Sequence, residues 1–492
     1  MTLATFMLAR VVPMSLSSQQ QRPGRTEGPS AVVPTQDDPV LASSTTLLGG
    51  PWGTRAAAAI DKTHFFTLSR VLVILTTLAA VAAVLTKQHC LLNGAGSPGV
   101  YLNGCYSDWT ALYSSRGLAD QPWAPFTTAE FEYPVLMSVV ASLTAALVPG
   151  PWVGDGAAYF GVNFLFAFIL WVVTVLLTAK TARWRPWDAV MVAIAPGIIF
   201  AGSINWDIWA VTLLAAAMWA ASRGKTLWLG VFIGLGAAMK LYPLFLLGAL
   251  LILTVRDKSY LRFAKITAAA AGAWLAVNLP LMIGNWDAFA KFYTFSSERG
   301  ASWSSIWHVW NLMAEKTGNT TLDADAVGVL ATGGFALSCA VIFIFGVRSQ
   351  HRPRLAQLMF LIVAAFILFN KVYSPQFVIW LVPLVALASP RWLDFIVWQL
   401  IEVAHFWAIW MLLARYSTQD WPDSHRMDES VYVFAVLAHV VMVLWLCYRV
   451  IADIRDPKQD PVLRAHLSDP GYRFSPADEE PQKSKKAFTS SG

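Results

Sequence analysis

The sequence predicts an all-α polytopic membrane protein, with about 12 membrane-crossing helices, short broken helices and two long loops. Of its 492 residues, 56% are hydrophobic and only 13% are charged, whereas a soluble domain carries about 25% charged residues. Apolar runs recur along most of the chain. The net charge of +6 comes largely from short loops and tails, with no basic stripe. These features argue against a soluble enzyme, and we expect no nucleic-acid partner.

Thirteen apolar runs are candidate membrane helices. Several are shorter than the roughly 17–25 residues that an upright crossing needs, which predicts half-helices or broken helices packed inside protein. The runs are 68–87, 134–149, 157–179, 188–204, 208–222, 226–239, 241–255, 264–283, 326–347, 355–370, 376–389, 392–413 and 430–451.

Lysine and arginine residues predict the orientation, because cytoplasmic connections of membrane proteins are enriched in them. They precede the first run, follow several later runs and begin the final tail. Both termini are then cytoplasmic, and loops 88–133 and 284–325 face outward. Thirteen crossings cannot place both termini inside, so we expect either 134–149 or 188–204 to re-enter.

Two polar tails flank the membrane domain, which we place at 65–451. Residues 1–60 are rich in Ser, Gln, Pro and Gly, and 452–492 are charged without apolar periodicity. Such compositions cannot bury enough apolar surface to fold, so both are predicted to be disordered cytoplasmic tails. Arg10 interrupts the first apolar stretch and no basic segment precedes it, so a cleaved signal peptide is not expected.

The first long loop holds the leading candidate for chemistry. In "CYSDWTALY", residues 105–113, Asp108 opens a stretch in which Trp109 and Tyr113 fall at helical spacing. This pattern predicts a helix in the membrane interface, anchored by its aromatic residues. Asp108 is either the N-cap of this helix or a catalytic carboxylate, and spacing alone leaves both open.

Three more polar residues mark the same loop. Glu132 stands at the next membrane entry, where a carboxylate is costly unless it is used or paired. Cys90 and Cys105 would form a disulfide if the loop is extracytoplasmic. Two free thiols are an equal alternative, because the sequence does not show that the two cysteines approach each other.

Two polar breaks interrupt the central apolar runs. Asn205 and Asp207 lie in "GSINWDIW", which is either an inter-helix turn or part of a site. Lys240 lies in "AAMKLYPLFLL", where two short helices meet. An intramembrane lysine indicates a functional site, and snorkelling of its long side chain is the alternative.

Two further breaks carry cations. Arg299 lies in "SSERGASWSSIWHVW", where its guanidinium could bind a phosphate or simply face solvent. The segment "FNKVYSPQFVIW", residues 369–380, is a polar break before a proline that opens the next helix. Broken helices of this kind often line binding sites. Its polar residues are Asn370, Lys371, Tyr373, Ser374 and Gln376.

Glu402 and His405 share one helix face at a spacing of three, and the two side chains could simply satisfy each other. Two ligands make no metal site, and the outer loops hold no HExxH or DxD motif. We therefore expect neither a divalent metal nor another cofactor.

The carboxylates and cations map together on one side of the membrane. An acidic group beside several cations, in a cavity open to lipid, suits group transfer from a lipid-linked phosphate. The cations would hold the leaving phosphate, and a carboxylate would act as the base.

Five elements in this order carry a family resemblance: Asp108 in its loop, "FEYPV", "GAAMKLYP", "ERGASWSSIW" and "NKVYSPQFVIWLVPL". They resemble the actinobacterial polytopic glycosyltransferases of family 87, in the GT-C superfamily. The resemblance covers about 65–450, nearly all of the apolar part. It implies a GT-C-like bundle and an inverting transferase at the outer face of the plasma membrane.

The resemblance also implies substrates and roles. The donor would be a polyprenyl-phosphate sugar, and the acceptor a cell-envelope glycan or glycolipid; partners would be membrane lipid and cell-wall synthesis proteins. Mannose is expected first, as the usual sugar of the family, and arabinofuranose second, as the sugar of related families. The chain departs from the family at "QFVIW", where its mannosyltransferases tend to carry a His pair, and this departure leaves the sugar open. By position, the base falls on Asp108, with Glu132 as the fallback. The predicted substrate-binding residues are Lys240, Arg299, Lys371, Tyr373, Ser374, Gln376, Asn205, Asp207, Glu402 and His405.

Two rival functions remain from the sequence. A lipid or glycan transporter or flippase would carry inverted repeats and ionisable residues across the membrane depth, and neither pattern is evident. A non-catalytic scaffold for cell-wall assembly is the other alternative.

Overall fold

A computed structural model describes residues 38–47, 66–128, 130–418 and 427–464, and the helices dominate these ranges. The first helices are α1 Pro39–Leu47, α2 Leu68–Asn93, α3 Gly99–Leu102, α4 Asp108–Ser115, α5 Val135–Ala146, α6 Gly156–Ala182, α7 Val190–Ala193, α8 Pro196–Ala201 and α9 Asp207–Ser222. The later ones are α10 Thr226–Met239, α11 Leu246–Asp257, α12 Tyr260–Gly284, α13 Trp286–Glu298, α14 Ile306–Thr317, α15 Ala324–Arg348, α16 Leu355–Phe369, α17 Val378–Ala388, α18 Trp392–Ser417 and α19 Glu429–Arg455.

Within the described ranges, six helices are long and apolar enough to cross a membrane, namely α2, α6, α12, α15, α18 and α19. The other apolar helices are shorter, and many of their residues are buried against their neighbours. All-helical architecture is therefore confirmed for the described residues, whereas the number of about twelve crossings stays a prediction.

Each of the thirteen apolar runs corresponds to one helix or to a broken pair. The run 188–204 is the most broken, because it divides into α7 and α8 at Pro196. Proline has no N–H to continue the helical hydrogen bonds. The break at "MKLYP" is also found: α10 ends at Met239, Lys240 is extended at φ −160° and ψ 148°, and a 3₁₀ turn follows.

The predicted loops and tails contain more structure than expected. The loop 88–133 contains α3 and α4, and 284–325 contains α13 and α14. Within the stretch 1–60, residues 39–47 form α1, and Asp38 accepts a hydrogen bond from the Trp392 N–H. The rest of that tail lies outside the described residues.

The C-terminal tail begins later than predicted. Helix α19 continues to Arg455, and the segment 456–464 packs back on the bundle with Asp460 fully buried. Composition did not reveal this, because a few buried residues with strong partners are enough to order a polar segment. Residues 465–492 lie outside the described part.

Helix α16 separates two polar ends of the bundle. Arg354 precedes its first turn, and Asn370 and Lys371 follow its last. At 1.5 Å per residue its 15 residues span roughly 22 Å. The polar breaks found in the sequence gather at the Lys371 end.

Candidate active site

A large open cavity of about 1280 Å³ lies at the Lys371 end of the bundle. Its walls come from α4, the entry to α5, the breaks before α9 and after α10, α13, the start of α15, and α18. Its lining includes most of the predicted site residues: Asp108, Glu132, Asn205, Lys240, Arg299, Lys371, Ser374 and Gln376.

Asp108 is the first residue of α4 but not its N-cap. Ser107 takes that position, and its hydroxyl accepts a hydrogen bond from the Trp109 N–H at 3.3 Å. The carboxylate of Asp108 does not cap the helix and instead accepts hydrogen bonds from neighbouring side chains in the cavity wall. Its Oδ2 accepts from the Tyr133 hydroxyl at 3.0 Å and from the Asn205 amide at 3.3 Å. The geometry therefore excludes the N-cap role for Asp108, and its catalytic role stays a prediction.

Burial raises the pKa of the Asp108 carboxyl above its ordinary value, because the charged form loses solvation. Hydrogen bonds from Tyr106, Tyr133 and Asn205 oppose this rise in pKa by stabilising the charged form. Because the net effect is a raised pKa, this carboxylate accepts a proton more readily than an exposed aspartate does.

The environment of α4 corrects one expectation. Trp109 is completely buried and Tyr113 almost so, and neither anchors the helix at a membrane surface. Trp109 packs against Phe160 and Trp206, and Tyr113 stacks on Tyr159. Helical spacing predicted an apolar face correctly, but not whether lipid or protein would cover it.

Glu132 has a partner that the sequence reasoning missed. Arg116 donates two hydrogen bonds to it, Nε to Oε2 at 2.9 Å and Nη2 to Oε1 at 2.8 Å. This fork geometry engages both oxygens of the carboxylate. Glu132 is therefore a less available base than Asp108. The only sequence signal for the pair was that a carboxylate at a membrane entry needs a partner.

Lys240 and Asp207 form an ion pair deep in one wall. Lys240 Nζ lies 2.5 Å from Asp207 Oδ1, and the Trp380 indole N–H donates to the same oxygen at 2.6 Å. Asp207 is fully buried, while 15% of the Lys240 side chain is exposed. Part of the lysine charge is thus used to neutralise Asp207, and its contact with a phosphate stays a prediction. Asn205 also accepts from the Asp207 N–H.

Arg299 and Lys371 are the two cavity cations with no salt bridge to any described carboxylate. Arg299 donates to the Ser302 hydroxyl at 2.9 Å, and Lys371 Nζ donates to the Ser297 carbonyl at 2.9 Å. Their segments are joined, because the Ser302 N–H donates to the Lys371 carbonyl at 2.9 Å. Two positive charges are therefore presented together to the cavity.

The remaining residues of the "NKVYSP" break divide between cavity and core. Ser374 and Gln376 line the cavity, and Ser374 precedes the 3₁₀ turn Pro375–Phe377. Tyr373 is buried behind the wall, with its ring centroid 4.0 Å from that of His439. Tyr373 therefore supports the wall in this structure rather than lining it.

The cavity also has an apolar wall. Val329 and Phe335 of α15, Phe366 of α16 and Leu241 contribute to it. Polar groups and apolar surface thus share one space, as an amphiphilic ligand requires.

Glu402 and His405 do not line the cavity. Both are buried, and His439 of α19 joins them, with His439 Nδ1 3.4 Å from Glu402 Oε2. The spacing of Glu402 and His405 predicted their shared helix face, but the residue on the neighbouring helix was beyond what spacing could show.

Residues 131–370 match the model of glycosyltransferase family 87. The match covers just under half of the chain and includes Glu132, Asn205, Lys240 and Arg299, whereas Asp108 and Lys371 lie outside it. No curated protein matches the chain. Residues 131–370 are therefore similar to glycosyltransferase family 87, and the described part of the chain is helical with several membrane-length apolar helices.

Proposed function

We propose that this protein is an inverting glycosyltransferase that moves a sugar from a polyprenyl-phosphate donor to a cell-envelope glycan or glycolipid. The observation that carries the proposal is the composition of one cavity. It combines a half-buried carboxylate, Asp108, with two cations, Arg299 and Lys371, and an apolar wall. A lipid-linked phosphate sugar has matching parts: an isoprenoid chain, an anionic phosphate and a polar sugar.

In the proposed step, Asp108 accepts the proton of an acceptor hydroxyl while the oxygen of that hydroxyl attacks the anomeric carbon of the donor sugar. The new carbon–oxygen bond forms on the face opposite the phosphate. The bond between the anomeric carbon and the phosphate oxygen breaks, and polyprenyl phosphate leaves. Arg299 and Lys371 hold the phosphate charge, so the cavity needs no divalent metal. A well-placed general base contributes roughly 10²–10⁴-fold, and positioning of the two substrates supplies more.

The proposed sugar and sidedness rest on separate observations. Mannose is proposed first and arabinofuranose second, on the family resemblance. An outward-facing cavity in the plasma membrane is supported by the Cys90–Cys105 disulfide, because disulfides persist in oxidising compartments. Cys90 lies in the last turn of α2, and Cys105 lies in the segment that leads to Asp108.

The experiment is transfer by the purified full chain in detergent or nanodiscs, supplied with labelled polyprenyl-phosphate mannose or arabinofuranose and envelope lipid extract. We expect label in a larger product with the natural chain and a loss of at least about 100-fold with Asp108→Asn. Asp120→Asn is the matched control, because Asp120 is exposed in the same loop and does not line the cavity.

Three results would decide against the proposal. Equal transfer by Asp108→Asn and Asp120→Asn would remove Asp108 as the base. If the donor crosses vesicle membranes unchanged and no product forms, the protein is a flippase. Absence of both transfer and translocation with every donor would favour a scaffold.

A further inference from the structure

A second polar cluster lies outside the cavity, between α18 and α19. Glu402, His405 and His439 each offer a ligand atom, and these atoms all lie within 4.8 Å of one another. Glu402 Oε2 is 3.4 Å from His439 Nδ1 and 4.0 Å from His405 Nδ1. The two imidazole rings face each other with centroids 4.1 Å apart. We call these three residues the histidine cluster.

The histidine cluster is buried, and its hydrogen bonds satisfy only part of its polar atoms. Both histidines have no exposed surface, and Glu402 is 4% exposed. No lysine or arginine among the described residues forms a salt bridge with Glu402. His405 Nδ1, which faces the carboxylate, is buried without a hydrogen-bond partner. A buried carboxylate without a cation and an unsatisfied imidazole nitrogen are both costly.

Contacts around the cluster orient its ligand atoms. The Trp398 indole N–H donates to Glu402 Oε1 at 2.8 Å and leaves Oε2 facing the histidines. On the far side of its ring, His405 Nε2 hydrogen-bonds the Ser304 hydroxyl at 2.7 Å. Metal-binding side chains are typically held in this way, with the second ring nitrogen or second oxygen bonded elsewhere.

We propose that Glu402, His405 and His439 bind a divalent transition-metal ion, with Zn²⁺ as the best match. Two imidazoles and one carboxylate suit Zn²⁺, which binds such ligands at about 2.0–2.2 Å. Tetrahedral ligands are then roughly 3.4 Å apart, whereas the ligand atoms here lie within 4.8 Å of one another. The two stacked imidazole rings would therefore have to turn toward a shared ion to close the site. The ion would also neutralise the buried carboxylate. This site is separate from the transfer step proposed above.

The location gives the ion a structural role. His405 holds Ser304, and the ring of His439 packs on Tyr373. Ser304 and Tyr373 belong to the two joined segments that carry Arg299 and Lys371. An ion between α18 and α19 would therefore fix the wall that presents both cations.

The test measures metal in the full chain, purified through a tag without histidines and equilibrated with Zn²⁺ before desalting. Mass spectrometry of the metal content is expected to give about one Zn²⁺ per chain. We expect Glu402→Gln and His439→Gln to lose it, while His89→Gln, which changes an exposed histidine of α2, retains it. Equal metal content in all four proteins would overturn the site.

A second measurement on the natural chain covers variants that fail to fold. Co²⁺ in place of Zn²⁺ is expected to give the visible absorption of a tetrahedral site, and Zn²⁺ to raise the melting temperature of chelator-treated protein. No absorption and no change in melting temperature would refute the site. A protein that binds Zn²⁺ but transfers no sugar would leave this inference intact and refute only the proposed function.

Discussion

At the scale of single residues, the state of Asp108 depends on the hydroxyl and amide groups around it. Burial raises its pKa, and hydrogen bonds from Tyr106, Tyr133 and Asn205 lower it. In the proposed step Asp108 is active only when deprotonated, so the balance between these effects on its pKa would set the pH below which transfer fails. This midpoint should lie above the value of about 3.9 for an ordinary aspartate.

We expect Tyr133→Phe to move the acid limb of the kcat/KM profile to higher pH. The variant loses the 3.0 Å hydrogen bond to Oδ2, which stabilises the charged carboxylate, so the pKa of Asp108 rises further. Transfer should therefore fall most at low pH and recover in part as the pH rises. The measurement is kcat/KM for labelled donor across the pH range in which the protein is stable.

Tyr101→Phe is the control for that profile. Tyr101 also lines the cavity, but its hydroxyl forms no hydrogen bond with Asp108 in the structure. Identical shifts in both variants, or no shift in Tyr133→Phe, would contradict the assigned role of the Tyr133 hydroxyl.

At the scale of elements, close helix contact depends on small residues. Gly230 and Gly234 of α10 lie one turn apart and face α12. A β-carbon at either position would collide with a backbone carbonyl of α12, at Ile266 and Ala270 respectively. Small residues at this spacing let two membrane helices approach closely. The pair holds α10 in place just before Lys240.

Gly234→Ala is expected to lower the free energy of unfolding by about 1–3 kcal/mol, because the backbone of α12 cannot move aside easily. Gly272→Ala in α12 is the matched control, since nothing lies within 4 Å of its added β-carbon. Alanine favours a helix over glycine by about 1 kcal/mol, so this control should be neutral or stabilising. Thermal unfolding in detergent measures both, and equal melting temperatures would count against the close contact.

At the scale of the whole molecule, one buried ion pair connects the C-terminal segment to the end of the bundle opposite the cavity. Arg354 donates to both oxygens of Asp460, at 2.9 Å and 3.0 Å, and Gln357 donates to Oδ2 at 3.0 Å. The same guanidinium donates to the carbonyls of Leu387 and Ala388 at 2.7 Å. One arginine thus joins α16, α17 and the segment after α19.

We expect Asp460→Ala to lower the free energy of unfolding by about 3–5 kcal/mol, because it leaves the Arg354 charge buried without a counter-ion. Lys458→Ala is the control in the same segment, since Lys458 is exposed. Melting temperatures in detergent compare the two variants. A decrease no larger for Asp460→Ala than for Lys458→Ala would show that this segment does not stabilise the bundle.

The sequence by itself determined the helices and most of their breaks. An apolar run that lies in lipid must satisfy its backbone hydrogen bonds internally, so it forms a helix. A proline interrupts those hydrogen bonds locally. The breaks at Lys240 and at Ser374 were therefore predictable, as was the presence of a polar site built from several breaks. The match to glycosyltransferase family 87 agrees with the resemblance carried by these motifs.

Only the tertiary structure decided which polar groups meet. Glu132 pairs with a residue 16 positions away, Lys240 with one 33 away and His439 with one 37 away. Hydrophobic periodicity shows that a helix has a buried face, but not which helix covers that face. Ion pairs act over a few ångströms, so their partners depend on packing. Packing placed Asp108 beside its hydrogen-bond donors Tyr133 and Asn205, and it brought His439 next to Glu402 and His405.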